Sequence, residues 1–219
     1  MHMQQDTWLE FFATAVQRTG LTLSEKQYAL FFRYMLELLE WNRSTNLTRI
    51  VEPQAIAIKH FLDSILITRH VQIAQENIAD VGSGGGFPGI PLAILEPGCS
   101  LVLIESLRKK TSFLKHMIRA LQLSNVQVYN GRAQDYPAPA SFDLAISRAF
   151  ASLSDFTAIA VRLIKPQGSI VCMKGQLPLE EIEALKAQDN PGFAVDSHSY
   201  CLPELGEARS LVILRPCFT

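Results

Sequence analysis

Ten residues limit the fold of this chain more than any others: Asp80-Val-Gly-Ser-Gly-Gly-Gly-Phe-Pro-Gly89. The apolar stretch before them (Ile73, Ala74, Ile78, Ala79) suits a short buried strand. The residues after them, Ile90-Pro-Leu-Ala-Ile-Leu95, suit a helix packed on a sheet. Glycines at 82, 84 and 86 strip Cβ atoms from one face of the turn, so a ligand can approach the backbone. Free N–H groups at the following helix start favour an anionic or strongly polar ligand. Next comes Ser100-Leu-Val-Leu-Ile-Glu105, an apolar strand ending in a carboxylate. Glycine loop, helix, strand and acid, in that order, describe a nucleotide-cofactor site in a Rossmann-like sheet.

Several glycine-loop chemistries compete for this segment. A phosphate-gripping P-loop ends in Gly-Lys-Ser/Thr, and no lysine lies between Lys59 and Lys109. A nicotinamide dinucleotide site needs G-x-G-x-x-G, which Gly84, Gly86 and Gly89 satisfy. The other register, Asp80-x-Gly82-x-Gly84-x-Gly86, puts an acid two residues before the first glycine. That register resembles motif I of class I methyltransferases that use S-adenosylmethionine, and Glu105 stands where their ribose-binding acid follows the second strand. A plain strand-to-helix turn explains the glycines less well, because each costs entropy that another residue would spare.

From about residue 6 to 70 the pattern is helical. Ser24 suits an N-cap with Gln27 as its capping-box partner, and Gly20 can end the helix before it. Tyr28, Phe31, Phe32, Met35, Leu38 and Leu39 make one apolar face. The pattern breaks at 42–46, and Pro53 suits the first turn of a third helix carrying Ile56, His60, Phe61 and Ile65. From about 75, strands near 77–81, 101–105, 126–130, 142–147, 168–173 and 210–215 alternate with helices near 88–96, 107–122, 152–165 and 178–188. This alternation predicts an α/β doubly wound parallel sheet. The segments 193–200 and 209–215 have only a loop between them, which predicts antiparallel pairing. An antiparallel last strand fits a methyltransferase sheet and is unusual in a nicotinamide dehydrogenase. The expected organisation is a helical region over 1–72 and a methyltransferase domain over 73–219, packed as one unit.

Composition narrows the partners. With 20 basic and 21 acidic residues the net charge is −1, so any RNA contact rests on a local patch. The four cysteines (Cys99, Cys172, Cys201, Cys217) form no C-x-x-C, which predicts neither zinc nor a disulfide framework. No signal peptide or membrane-spanning run is evident, so the expected location is cytoplasmic, with no membrane and no metal. No uncommitted apolar stripe is evident, and a monomer is expected.

The chain also contains a set of phrases beyond the loop: Trp41-Asn42 with Asn46-Leu-Thr48, Lys59-His-Phe-Leu-Asp-Ser64, and Phe87-Pro-Gly-Ile-Pro91. The others are Glu105-Ser-Leu-Arg-Lys-Lys110, Phe142-Asp-Leu-Ala-Ile-Ser-Arg-Ala-Phe-Ala151 and Lys174-Gly175. Together they resemble the RsmG (GidB) family of bacterial 16S rRNA guanine-N7 methyltransferases, along nearly the whole chain. Gly85 departs from the Pro or Ala expected there, and Glu105 replaces the commoner Asp while keeping the carboxylate. The resemblance implies S-adenosylmethionine as cofactor and 16S rRNA, or the small ribosomal subunit, as partner. It implies that Asp80, Gly84 and Gly86 shape the cofactor loop, that the Gly82 backbone meets the methionine part, and that Phe87 lines that pocket. Glu105 is then expected on the ribose hydroxyls, and Ala133 and Gln134 beside the adenine.

Arg148 directly follows a buried strand, at the edge where α/β sheets bind ligands. It is the expected catalytic residue, with a cofactor carboxylate, an RNA phosphate or the guanine O6 edge as its target. Arg49, His60, Lys109, Arg132 and Lys174 are the expected RNA-facing residues, and Arg43, Lys59, Arg108 and Lys110 can join that patch. His60 and Asp63, at i and i+3, can also meet each other as a structural pair. No Asn/Asp-Pro-Pro-Tyr/Phe motif follows the fourth strand and no Pro-Cys setting occurs. Those absences fit attack by a ring nitrogen that needs no base. Two other functions stay open on residues alone: an NAD-dependent oxidoreductase, and a non-catalytic RNA-binding or ribosome-assembly module.

Overall fold

The computed structural model describes residues 5–148, 150, 152–187 and 192–217. Two helices open the chain, α1 (Gln5–Gln17) and α2 (Glu25–Thr45). Ser24 caps α2 and Gln27 completes the capping box, as the spacing predicts. The helix runs on through Asn42 instead of breaking there. Asn46, at φ 54°, supplies the left-handed cap, and the Asn42 side chain instead holds both backbone groups of Thr48, at 2.9 Å each.

The third helical stretch begins with Pro53 in its first turn, in α3 (Pro53–Ile56). It loosens into a π-helical turn at Ala57–Leu62, then continues through α4 (Asp63–Ile65) and a 3₁₀ turn at Leu66–Arg69. Such π turns often mark functional sites, and this one carries Lys59 and His60.

The remaining elements are β1 (Asn77–Val81), α5 (Gly89–Leu95), β2 (Ser100–Glu105), α6 (Arg108–Leu121), β3 (Val126–Asn130) and β4 (Phe142–Ser147). They are followed by α7 (Leu153–Ala160), β5 (Ile164–Lys174), α8 (Leu179–Lys186), β6 (Phe193–Cys201) and β7 (Ala208–Pro216). The seven strands lie in the order β3-β2-β1-β4-β5-β7-β6, with β7 antiparallel to both neighbours. This is the α/β sheet with an antiparallel last strand that the sequence predicts. The helix expected over 152–165 ends at Ala160. Backbone N–H groups of Ala140, Ser141 and Phe142 take the carbonyls of Arg162 and Leu163, which draws that stretch into the sheet.

Helices cover both faces of the sheet. On one face α5, α6 and the N-terminal helices share a core that runs from Trp8 and Phe12 through Phe31 and Phe61 to Leu103 and Met117. On the other, α7 and α8 bury Leu153, Phe156 and Ile182 against Val81 and Ile104. Gln27 also donates to the Ile94 and Leu95 carbonyls at the end of α5. The N-terminal helices are thereby fixed against the glycine loop, since Phe87 of that loop stacks on Tyr34 of α2 with centroids 5.4 Å apart.

Candidate active site

The parallel strands β1, β2, β4 and β5 end at one edge, and β1 lies between β2 and β4. The winding reverses there, the place where open α/β sheets bind ligands. The glycine loop follows β1 and is held by its own backbone. Gly82 and Ser83 N–H groups both donate to the Ile104 carbonyl, and those of Gly86 and Phe87 donate to the Ser83 carbonyl.

The glycines have different tasks. Gly82 has φ +74°, and a Cβ there would meet nothing within 4 Å, so its face is open to a ligand. Gly84, at φ +57°, is nearly as open. Gly86, at φ +90°, faces inward, where a Cβ would come within 2.6 Å of the Tyr34 hydroxyl. A Cβ on Gly89 would collide with Leu103 and come 2.7 Å from Asp80 Oδ2. So Gly82 and Gly84 leave room outside the loop, while Gly86 and Gly89 allow the loop to pack.

Asp80 lies beneath the loop, fully buried. Its Oδ2 accepts from Gly89 N–H at 3.0 Å, and its Oδ1 has no partner among the described residues. Burial pushes its carboxyl up to about 7, against the pull of the Gly89 and Ser83 bonds. Glu105 ends β2 with one oxygen on Gly84 N–H at 3.0 Å and the other on Leu107 N–H at 2.9 Å. Each carboxylate oxygen has a second lone pair available to a ligand hydroxyl. A cleft of about 270 Å³ opens beside it, lined by Gly82, Glu105, Arg132, Ala133, Gln134 and Phe150 among others. An open glycine face, a carboxylate and a flanking Gln amide are groups that could hold S-adenosylmethionine.

A second cleft of about 370 Å³ lies along the same edge over β4, β5 and β7, lined by Lys59, His60, Asp63, Arg148, Lys174 and Arg209 among others. Arg148 is its centre. The guanidinium sits 4.8 Å over the Phe87 ring. It donates to the Lys59 carbonyl at 3.1 Å and contacts His60 Nδ1 at 3.0 Å. Asp63 Oδ2 is 3.9 Å from Arg148 and 3.3 Å from Arg209, while Tyr200 donates to Asp63 Oδ1. Burial pushes the Asp63 carboxyl up, and the two arginine charges pull it back only in part.

Sequence reasoning therefore brings Asp80, Gly82, Gly84, Gly86, Phe87, Glu105, Ala133, Gln134 and Arg148 to one edge of the sheet. The expected RNA-facing residues divide. Arg49, Lys109 and Arg132 are exposed, and Arg132 also lines the nucleoside cleft. Lys174 is half-buried and bonded to Glu181 at 3.1 Å. His60 is 6% exposed, and its ring stacks on Phe87 at 4.3 Å. It lies under the site rather than on an RNA-facing surface, because both ring nitrogens are turned to internal partners. The i, i+3 pair of His60 and Asp63 forms through Arg148, not directly. Tyr34, Thr48, Tyr200, Glu207 and Arg209 were missed. Arg209, a charge leading an apolar strand, carried a readable signal, as did Thr48 within the Asn46-Leu-Thr48 phrase.

The comparisons with known proteins agree with this geometry. The model of the GidB family, described as rRNA small subunit methyltransferase G, matches residues 27–202. Ribosomal RNA small subunit methyltransferase G of Nitrosococcus oceani is 42% identical over 197 residues, 90% of each chain. The Bordetella avium protein of that name is 39% identical over 207 residues, 92% of this chain and 90% of its own. Among solved structures, a SAM-dependent methyltransferase from Aquifex aeolicus superposes with a TM-score of 0.57 at 15% identity, over 81% of this chain and 97% of its own. P. horikoshii TYW2 in complex with MeSAdo gives 0.55 at 15%, over 71% and 62%. These two show the methyltransferase fold, and the sequence matches go further: the chain belongs to the rRNA small subunit methyltransferase G family.

Proposed function

We propose that this chain transfers a methyl group from S-adenosylmethionine to N7 of a guanine in 16S rRNA. The observation that carries the reading is the pair of clefts on adjacent strand ends, one with an open Gly82 face and Glu105, the other built around Arg148. Family membership supports both the rRNA substrate and the reaction.

S-adenosylmethionine, when bound, would supply a sulfonium methyl group that a nitrogen lone pair can take without prior proton removal, the C–S bond electrons leaving on the neutral thioether. In this reading the Gly82 backbone meets the methionine part, Gly84 shapes the loop, Glu105 holds the ribose hydroxyls, and Ala133 and Gln134 flank the base. Guanine N7 has a lone pair and no proton, so the chain needs no general base. Its task is alignment and proximity. Arg148 is well suited to this, because a guanidinium can donate to guanine O6 and leave the N7 lone pair free to face the methyl group. Its tether to Phe87, Lys59 and His60 fixes the direction of approach.

Arg49, Lys109 and Arg132 are exposed and supply phosphate contacts in this reading, with Lys174 at the rim. A non-catalytic RNA-binding module would leave the open Gly82 face and Glu105 without a task. An oxidoreductase would not explain the family match. Action on ribosomal RNA makes the protein cytoplasmic in this reading. Among the described residues no helix is long and apolar enough to cross a membrane.

The test is methyl transfer from labelled S-adenosylmethionine to small ribosomal subunits lacking the modification, followed by mapping of the label. Label at one guanine N7 is the expected result. No label, with cofactor binding intact by calorimetry, would send the search to another acceptor.

A further inference from the structure

Arg148 does not stand alone in the acceptor cleft. Its Nη2 is 3.0 Å from His60 Nδ1. On the far side of that ring, Nε2 is 2.8 Å from Thr48 Oγ1. Arginine only donates, so His60 Nδ1 must present its lone pair. The single ring proton then sits on Nε2 and is donated to Thr48. Thr48 Oγ1 also accepts from Ile50 N–H at 3.0 Å, and the Asn42 amide brackets the Thr48 backbone. A continuous chain of contacts thus runs from the end of α2, through the loop that carries Arg49, to the guanidinium.

We propose that Thr48 and His60 are positioning residues: they fix the His60 tautomer and so hold Arg148 at the angle that places the acceptor guanine. This rests on the reading of Arg148 as the acceptor contact. The arrangement differs from an ordinary satisfied core histidine in one respect. A second proton on Nδ1 would point N–H at N–H and push the guanidinium away. Burial first, and then the Arg148 charge, hold the His60 ring down to about 3, against a backbone contact at Lys59. The charged groups that line the same cleft are Lys59, Asp63, Arg148, Lys174, Glu207 and Arg209. The ring is therefore neutral at all working pH values and serves as a fixed acceptor rather than as an acid or base.

Four variants separate these roles. His60→Asn keeps a polar acceptor near the Nδ1 position. His60→Gln keeps a donor near the Nε2 position. His60→Phe keeps only the stack on Phe87, and Thr48→Val removes the partner that selects the tautomer. The measurements are kcat and KM on undermethylated small subunits, cofactor Kd by calorimetry, melting temperature, and the ¹⁵N resonances of His60 in the wild type. His60→Phe is expected to lower kcat about 100-fold, the order expected for a misplaced reacting group, while cofactor Kd holds. His60→Asn should recover most of that loss, His60→Gln should not, and Thr48→Val should fall between. The ¹⁵N spectrum should show a neutral ring with the proton on Nε2, unchanged from about pH 5 to 8, the range where an ordinary histidine titrates.

Active wild type combined with an Nδ1–H ring, a titration near the ordinary histidine pKa, or an Asn variant no better than Phe overturns the positioning role alone. Loss of activity that only tracks melting temperature does the same. A wild type inactive on small subunits overturns the proposed function, and the acceptor role of Arg148 with it.

Discussion

The Gly89 N–H donates to Asp80 Oδ2 across 3.0 Å and closes the glycine loop from beneath. The bond ties the first strand to the first residue of α5, so the loop between them is held at both ends. It satisfies only half of a fully buried carboxyl, and burial raises that carboxyl from 3.8 to about 7. Between these values the folded chain keeps a proton that the unfolded chain has released. Stability must therefore fall as pH rises through this window, by an amount on the order of a few kcal/mol. Asp80→Asn removes the titration. The wild type should lose ground to Asp80→Asn in urea unfolding between pH 5 and pH 8. A difference that stays constant with pH would mean that Asp80 is already ionised.

The loop glycines should separate folding from ligand binding. Gly89→Ala drives a methyl group against Leu103 and Asp80 Oδ2. Overpacking of this kind costs about 1–3 kcal/mol, and the Asp80 bond is disturbed as well. Gly82→Ala meets no atom within 4 Å. Its cost is the left-handed backbone, about 1–2 kcal/mol. Calorimetry on folded Gly82→Ala should nonetheless show cofactor binding lost or severely weakened. Retained affinity would remove Gly82 from the cofactor cleft.

Glu105 holds Gly84 N–H with one oxygen and Leu107 N–H with the other. It also faces the nucleoside cleft. Glu105→Ala orphans two backbone donors and removes the acceptor offered to the ribose. Hydrogen bonds to charged groups are worth about 1.5–3 kcal/mol each, so cofactor Kd should rise by at least tenfold. Glu105→Gln retains one carbonyl acceptor and should lose less. Equal Kd values for wild type and Glu105→Ala would remove this residue from the site.

Arg148 is buried enough that its removal is not a clean test of chemistry. Arg148→Ala leaves the Asp63 carboxylate with one arginine and empties the space over Phe87, so stability and activity should fall together. Breaking one side of a buried ion pair costs about 3–5 kcal/mol, and Arg209 on Asp63 moderates that here. Arg148→Lys keeps the charge but not the planar fork, which spans the Lys59 carbonyl and His60. It should melt close to the wild type and turn over far more slowly. Wild-type turnover by Arg148→Lys would mean that only the charge matters.

The glycine loop, the Glu105 carboxylate and Arg148 were legible because each breaks a local pattern: glycines where side chains would be cheaper, charges at the ends of apolar strands. The antiparallel β7 was legible because only a loop joins it to β6. The second cleft was not. Lys59 comes from a π-helical turn and Asp63 from the α4 turn after it, Tyr200 from an edge strand, and Glu207 and Arg209 from the last crossing. No sequence period brings these together. His60 was misjudged for a related reason. A histidine among basic residues looks like surface, but the stack on Phe87 and the contacts with Thr48 and Arg148 put it inside. The ends of α2 and α7 were displaced by tertiary bonds, at Thr48 and at Ala140 to Phe142, that outweigh local propensity.

The exposed cations give the most direct test of the RNA surface. Each phosphate contact releases counterions, so the logarithm of affinity falls with the logarithm of salt by about 0.7–0.9 per contact. Arg49→Ala, Lys109→Ala and Arg132→Ala should each reduce that slope by nearly one contact in binding to small subunits. Lys174→Ala should change it less, because Lys174 is half-buried and its ammonium is already bonded to Glu181. Arg132 also lines the nucleoside cleft, so its variant should weaken cofactor binding in calorimetry, while Arg49→Ala should not. Wild-type salt slopes in all four variants would show that RNA docks on another face, and the two clefts would then need a different acceptor.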